Sequence, residues 1–271
     1  MADLAISQVP DQSVLADVRG KPPKTKLYDH VILGAGCSGL SLAWHLRALG
    51  DQSSIVLVDR RASYTNDRTW CYWDVEPTPF DDLATHCWSR WAIVDEQGKW
   101  VECHSEHFRY RRLRSIDVYQ RILAMLVEDE DVDLALGTSI RSTKTNNDSV
   151  SVETTRGIIQ GALAFDSAQN PAKLAASPPR SEAVLIQHFF GQTVRTDRPA
   201  FDPDCPILMD FCVDQSDGPH FVYVLPLSNQ TALVENTYLF PAPVSAARHR
   251  QEIASYLHRR FGVQKIEVIE E

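Results

Sequence analysis

Between Tyr28 and Val58 the apolar positions change period twice. His30 to Leu33 is a short β-rich run, Leu42, Leu46 and Leu49 recur at helical spacing, Gly50 stops that helix, and Ser54 to Val58 is extended again. The pattern predicts strand, helix, strand. Farther on, WSRWAIVDEQGKWV (88–101) predicts two short strands around a Gln97-Gly98 turn. RYRRLRSIDVYQRILAMLV (109–127) predicts a helix with Ser115 or Asp117 at its cap and Val118, Ile122, Met125 and Leu126 on its apolar face. Weak alternation from 133 to 165, broken at Asn146-Asn147 and Arg156-Gly157, predicts meander strands.

After a linker rich in Pro, Ser and Ala (SAQNPAKLAASPPRS, 167–181) the texture turns to β. AVLIQHFFGQTV, CPILMDFCV, HFVYVLPLS and TALVENTYL predict four strands of an antiparallel sheet with one buried face. ARHRQEIASYLHRRFG then predicts an amphipathic helix with Ile253, Tyr256 and Leu257 inward and arginines outward. The division that follows is a polar leader at 1–27, a dinucleotide-binding domain at 28–166, the linker, and a sheet-plus-helix domain at 182–271.

Composition narrows the chemistry. The 271 residues are 44% hydrophobic and 23% charged, enough for a large buried core. A net charge of −9 argues against a nucleic-acid partner, which needs a basic face; RYRRLR (109–114) is the one local exception. No apolar run reaches the roughly 18 residues of a spanning helix. The amino terminus has no basic start followed by an apolar core, so it does not read as a signal peptide. The six cysteines stand without zinc-ligand spacing, so no metal site is expected and the thiols read as reduced and cytosolic.

Chemistry concentrates first at Gly34-x-Gly36-x-x-Gly39, which follows the first strand and opens the first helix. In that setting Gly34 permits a tight turn, Gly36 lets the backbone approach a pyrophosphate, and Gly39 allows close helix–strand packing. The helix amino terminus offers free N–H groups to the anion. Asp59, 20 residues beyond Gly39, closes the second strand where a carboxylate accepts from a ribose hydroxyl. FAD and NAD both carry that half-molecule, so the motif alone leaves them open. Arg112 and Arg114 are placed either to reach a phosphate or to form a solvated basic edge.

The later stretches carry a resemblance. The glycine motif with Asp59, NDRTWCYW (66–73), LIQHFFGQTVRTDRPAFDP (185–203), LMDF (208–211), FVYVLPLS (221–228) and LVENTYL (233–239) together resemble bacterial lycopene β-cyclase. The resemblance runs from about Tyr28 to the end. It implies an α/β fold: a Rossmann-like FAD-binding domain of the glutathione-reductase or hydroxylase type, with an inserted antiparallel-sheet substrate domain. It implies reduced FAD maintained by NADPH, the C40 polyene lycopene taken from lipid, and a cytoplasmic protein in peripheral contact with the membrane. The reaction it implies closes the linear ends of lycopene into β-ionone rings, giving γ- and then β-carotene. That reaction is a net isomerisation, classed with intramolecular lyases and isomerases, in which an acid protonates an alkene and a base removes a ring proton.

Such an acid must stay protonated in an apolar pocket. The resemblance places it at Glu235, in LVENTYL, although strand alternation permits Glu235 to face either pocket or solvent. Asp210, in LMDF, is the second candidate, with an exposed strand residue as the equal reading. Arg68 is expected at flavin or its phosphates, and Trp70, Tyr72 and Trp73 either wall an apolar cavity or pack in the core. His188 reads as a core histidine. Members of the family continue well past residue 271, into a further flavin-contacting segment, so the chain reads as a fragment, a truncated product or a degenerate relative. The alternatives are an FAD-dependent monooxygenase or oxidoreductase sharing the amino-terminal unit, and a non-catalytic flavin-domain remnant. Oligomeric state is not legible.

Overall fold

The first strand, β1 (Leu27–Leu33), buries Tyr28 and Val31 to Leu33, because its apolar run lies between two parallel neighbours. The protein is described here from a computed structural model, which covers residues 26–168 and 185–271. The leader read at 1–27 and the linker read at 167–181 therefore fall, apart from their edges, outside the described residues.

The chain divides into two compact units, Met1–Trp70 with Leu113–Gln169, and Cys71–Arg112 with Asn170–Glu271. In the first unit β1 leads through α1 (Cys37–Ala48) to β2 (Ile55–Val58), all four of whose residues are buried. Helix α2 (Ser115–Val127) then leads to β8 (Val132–Ala135). A meander of β9 (Ile140–Thr145), β10 (Val150–Thr154) and β11 (Gly157–Asp166) returns the chain beside β1. The six-stranded order is β8-β2-β1-β11-β10-β9. Pairing is parallel from β8 to β11 and antiparallel beyond. Val31, Leu33, Val56, Val58, Val152 and Ile159 form part of its core. This is the strand–helix–strand unit that the apolar periods predict, extended by the predicted meander. On α2, Val118, Ile122 and Leu126 are buried as expected, while Tyr119 and Leu123 join them where Met125 was expected. Ser115 is the first helical residue and not the cap; its Oγ accepts from the Arg68 N–H at 3.0 Å.

The second unit is built on a seven-stranded sheet. Its strands are β5 (Arg90–Val94), β6 (Trp100–His104), β12 (Ile186–Thr196), β13 (Ile207–Asp210), β14 (His220–Pro226), β15 (Thr231–Phe240) and β16 (Ile266–Glu270), in the order β16-β12-β15-β14-β13-β5-β6. Every pairing is antiparallel except β13 with β5. A further sheet orders β3 (Thr69–Trp73), β7 (Tyr110–Arg114) and β4 (His86–Trp88) as β3-β7-β4. Helix α3 (Ala246–Phe261) starts at Ser245, whose Oγ accepts from the Arg248 N–H, and ends at Gly262 in the left-handed region (φ +64°). It lays Ile253, Tyr256 and Leu257 on Val194, Val222, Val224 and Val234, the inward face that its periodicity predicts. Each such side chain contributes on the order of 2 kcal/mol by burial.

The boundary between units differs from the expected one. Residues 71–112 were assigned with the dinucleotide-binding domain, yet they belong to the second unit. The reason is hydrogen bonding: β5 pairs with β13, more than 100 residues later, and brings β6 with it. A local periodicity identifies such strands but not their partners.

Candidate functional site

The glycine turn is shaped by close approach. Gly34 has φ +97°, which an L side chain rarely adopts. A Cβ on Gly39 would collide with the Gly34 carbonyl oxygen, so α1 is seated directly on the end of β1. Gly36 is the N-cap of α1 and offers no side-chain cap, which leaves the first helical N–H groups uncovered by the turn itself. Asp59 holds the turn from below: its Oδ2 accepts from the Ala35 N–H and its Oδ1 from the Arg61 N–H, both at 2.8 Å. Carboxylate oxygens have lone pairs to spare for a further donor.

Sequence reasoning passed over Arg61. Its guanidinium lies 4.0 Å from where a Gly36 Cβ would stand and 3.5 Å from Asp59, and it packs on the Tyr64 ring (5.0 Å) and the Tyr119 ring (5.4 Å). The Nε of Arg61 is buried without a hydrogen-bond partner among the described residues. An anchored cation beside an open helix amino terminus is suited to an anion. The signal was the pair Arg60-Arg61 directly behind Asp59. Arg68, the residue that was expected there, is exposed on the chain leading into β3.

In the second unit the alternation of β15 sorts its side chains. Ala232, Val234, Asn236 and Tyr238 are buried, with Val234 in the core under α3. Glu235 therefore takes the opposite face, with Tyr223 on β14 and Gly191 on β12 as its cross-strand partners. On that face Trp88, Leu208, Leu225 and Leu233 are buried, and Cys71, Trp73, Trp91, Tyr110 and Tyr223 pack against them. Alternation within β3 puts Cys71 and Trp73 in this cluster. Trp73 meets Trp91 edge-on at 4.6 Å and Tyr110 at 4.8 Å. Trp70, on the other side of the strand and in the first unit, meets Tyr119 edge-on at 5.3 Å. The Tyr72 hydroxyl donates to Asp81 at 2.6 Å.

Four ionisable groups share this environment, and burial treats them alike. It pushes the Cys71 thiol up to about 11, where the Tyr110 hydroxyl and Arg112 pull partly back. It holds the Tyr110 and Tyr223 phenols above their ordinary range, where charge on Glu235 adds to the effect. It raises Glu235 to about 6, against a 3.4 Å hydrogen bond from Thr237 Oγ1 that works the other way. Near neutrality three of the four stay protonated, and Glu235 alone exchanges its proton. Arg112 lies buried in this unit, with Nη1 donating to Thr85 at 3.0 Å, near Cys71 and His86.

Asp210 is fully buried, but on the α3 side. Its Oδ2 accepts from Tyr256 at 2.8 Å and pairs with Arg260 Nε at 3.2 Å, while Oδ1 accepts from the Cys212 N–H. The sheet thus separates the two acidic candidates onto different faces. His188 stacks on Tyr238 at 5.5 Å and meets His249 edge-on at 5.7 Å, also on the helix side. No group of three or more potential metal ligands exists among the described residues.

The family model described as lycopene cyclase protein matches residues 29–271. A lycopene beta-cyclase from Pantoea ananas is 29% identical over 235 residues, 84% of this chain and 57% of that protein. One from Paracoccus sp. (strain N81106 / MBIC 01143) is 30% identical over 217 residues, 78% of this chain and 51% of that protein. The chain spans about half the length of the curated relatives it matches. Among solved structures, a geranylgeranyl bacteriochlorophyll reductase-like protein from Thermoplasma acidophilum shares the fold with a TM-score of 0.62 at 12% identity, over 90% of this chain and 65% of that one. Halogenase PltM, solved in complex with phloroglucinol and FAD, does so with a TM-score of 0.62 at 12% identity, over 90% and 59%.

Proposed function

The chain belongs to the lycopene cyclase family, and from that premise we propose that it acts in lycopene β-cyclisation with Glu235 as the acid. The observation that carries the proposal is the aromatic and aliphatic cluster on the Glu235 face, where burial raises Glu235 to about 6 while it keeps Cys71, Tyr110 and Tyr223 protonated. Protonated Glu235 delivers its proton to the terminal alkene. A tertiary cation forms, the neighbouring double bond attacks it to close the ring, and a ring proton leaves to a base, so no electrons are transferred overall. Trp73, Tyr110 and Tyr223 offer ring faces to positive charge. The Cys71 thiol, held up to about 11, is a poor nucleophile toward such a cation.

The glycine turn fits the ADP half of FAD. Gly34, Gly36 and Gly39 leave room for the pyrophosphate at the head of α1, Arg61 supplies a cation beside it, and Asp59 retains lone pairs for a ribose hydroxyl. When bound, the flavin, reduced at the expense of NADPH, supplies an electron-rich ring that favours positive charge. Arg68 is proposed as a further cofactor contact; Arg112, bonded to Thr85 in the second unit, and Asp210, held by Tyr256 and Arg260 on the sheet face opposite Glu235, are given no part in these steps. Lycopene is a hydrocarbon that resides in lipid, so we infer peripheral contact with the membrane through an apolar patch of a cytoplasmic protein. Among the described residues no helix is long and apolar enough to cross a bilayer.

Expression of the chain in lycopene-accumulating cells tests the proposal. The expected pigment is ring-closed carotene of the same mass as lycopene, with lycopene retained when Glu235→Gln is expressed instead. Lycopene left untouched by the parent chain overturns the reading. A product heavier by oxygen points to a monooxygenase, and equal cyclisation by both chains removes Glu235 from the role.

A further inference from the structure

The face that carries Glu235 can be read as a grid of three strands. β12 contributes Phe189, Gly191 and Thr193; β15 contributes Thr237, Glu235 and Leu233; β14 contributes Phe221, Tyr223 and Leu225. Eight of these nine positions carry a side chain. The gap is Gly191, directly opposite the acid.

Backbone conformation does not account for that glycine. Gly191 lies within β12, paired with Glu235 of β15 and two residues short of the β16 pairing, and is not among the glycines with positive φ. A glycine inside a strand weakens it and often marks a close approach of ligand or backbone. A tight backbone contact does not account for it either. A Cβ added there would meet Leu233 Cδ1 at 3.3 Å, Glu235 Oε2 at 3.8 Å and Glu235 Cβ at 3.9 Å, all of them side-chain atoms. Gly39 differs in kind, since its Cβ would strike backbone. Anything longer than a methyl at 191 would stand over the Glu235 carboxyl.

The other approaches are furnished. Tyr223 flanks Glu235 on β14, and Cys71 and Tyr110 lie close enough to feel the Glu235 charge. Phe189, next along β12 on the same face, is 51% exposed and puts an apolar ring beside the gap. An acid that protonates an alkene must touch the receiving carbon, and a branched end that then folds back into a ring needs more room than a straight chain.

We propose that Gly191 is a specificity-determining position: its missing side chain is the opening through which a methyl-branched, apolar alkene end reaches the Glu235 carboxyl. The inference rests on the cyclase reading for the identity of the ligand, but the missing side chain opposite the acid is a property of the chain. A valine there closes it. An alanine narrows it.

Two measurements on the parent chain, Gly191→Ala and Gly191→Val separate these statements. The first is labelling of Glu235 by dicyclohexylcarbodiimide, an apolar reagent for protonated carboxyls, near pH 6 and quantified by peptide mass spectrometry. The second is binding of lycopene in detergent micelles, followed by quenching of tryptophan fluorescence. The expected result is graded. Labelling and binding decline in alanine and fall by about tenfold or more in valine, the scale on which added carbons act in a fitted pocket. Circular dichroism should match the parent's and the melting temperature should stay close to it, because strand propensity favours valine while Leu233 Cδ1, 3.3 Å from a Cβ at this position, has to shift. Equal labelling in the parent and the valine variant overturns the proposal, as does a parent chain whose Glu235 is not labelled; if valine fails to fold, the alanine variant decides on the same criterion. Labelling that falls with valine in a chain that binds no lycopene keeps the opening and overturns the cyclase reading instead.

Discussion

The two faces of the seven-stranded sheet use polar groups in opposite ways. Under α3, Asn236 donates to Glu252 at 2.7 Å and bonds with His220; Tyr238 donates to Glu252 at 2.7 Å, and Arg248 Nε donates to it at 2.8 Å. Asp210 is held in the same manner by Tyr256 and Arg260. On the other face Glu235 receives one long hydrogen bond from Thr237 within a cluster of rings and aliphatic chains. Neighbouring residues of one strand, Glu235 and Asn236, thus have opposite circumstances. Where polar groups are paired in this way, the network fixes the packing. Where one is left short, its proton is available for chemistry, at a cost to stability.

The sharpest way to break this contrast is at Glu235. Glu235→Gln should lower cyclisation by on the order of 10²–10⁴-fold, the usual share of a positioned acid. The same change should raise stability near pH 7 by roughly 2 kcal/mol, because it removes a carboxylate that burial disfavours. Urea denaturation beside pigment assays checks both. A variant that is inactive and also less stable would mean that Glu235 supports the fold. Asp210→Ala predicts the reverse allocation: a stability loss of roughly 3 kcal/mol from stranding a buried partner, with carbodiimide labelling of Glu235 preserved in the folded fraction. If that labelling disappears in protein that remains folded, the two faces are coupled and the contrast fails.

Titration gives the next effect. Glu235 has its folded value raised to about 6 from an ordinary 4.5. The fold therefore holds this proton more tightly than the unfolded chain does, and the group's contribution to stability is lost as pH rises from 4.5 through 6. Burial would raise Glu252 too, but the hydrogen bonds from Tyr238, Arg248 and Asn236 bring it below the ordinary range. Its contribution is present above the unfolded value and is lost as pH falls through the depressed one. Denaturation midpoints measured from pH 3 to 8 should show that Glu235→Gln flattens the loss on the alkaline side and Glu252→Gln flattens the loss on the acid side. Like responses from both variants would dissolve the distinction between the faces. Cyclisation, which uses protonated Glu235, should decline about tenfold per pH unit above 6.

How much of this was legible in the sequence differs by feature. The glycine turn was readable because tight turn, phosphate approach and helix seating are all local demands on residues 34–39. All three α-helices among the described residues were readable from period. The side that Glu235 takes was not, since Val234-Glu235-Asn236 has an apolar residue on one flank and a polar one on the other. It is settled by His220 and Glu252, which give the buried Asn236 partners 16 residues away on either side. The WCYW stretch was conspicuous in composition, but its division into Cys71 and Trp73 against Trp70 and Tyr72 needs the strand that Thr69–Trp73 forms. Arg61 was overlooked because an arginine after an acidic strand end has no period to betray it. Asp210 drew attention by its apolar neighbours, the very residues that bury it under α3.

The finest test lies in the single hydrogen bond that Glu235 retains. Thr237 Oγ1 stands 3.4 Å from Glu235 Oε1 and stabilises the charged carboxylate, so it opposes the effect of burial. Thr237 is itself fully buried, and valine matches its shape without the hydroxyl. Thr237→Val should therefore move the Glu235 titration, and with it the falling limb of activity against pH, upward by a fraction of a pH unit. Activity well below that limb should change little, because the acid is already protonated there. At a length of 3.4 Å the bond is weak, so stability should shift by less than about 1 kcal/mol. Fourier-transform infrared titration of the carboxyl band in the two proteins reads the shift directly. A movement downward, or a loss of activity at all pH values without a shift, would mean that Thr237 serves the pocket by its hydroxyl's contact with something other than Glu235. The face would then hold a second polar arrangement where the present geometry has one carboxyl left nearly alone.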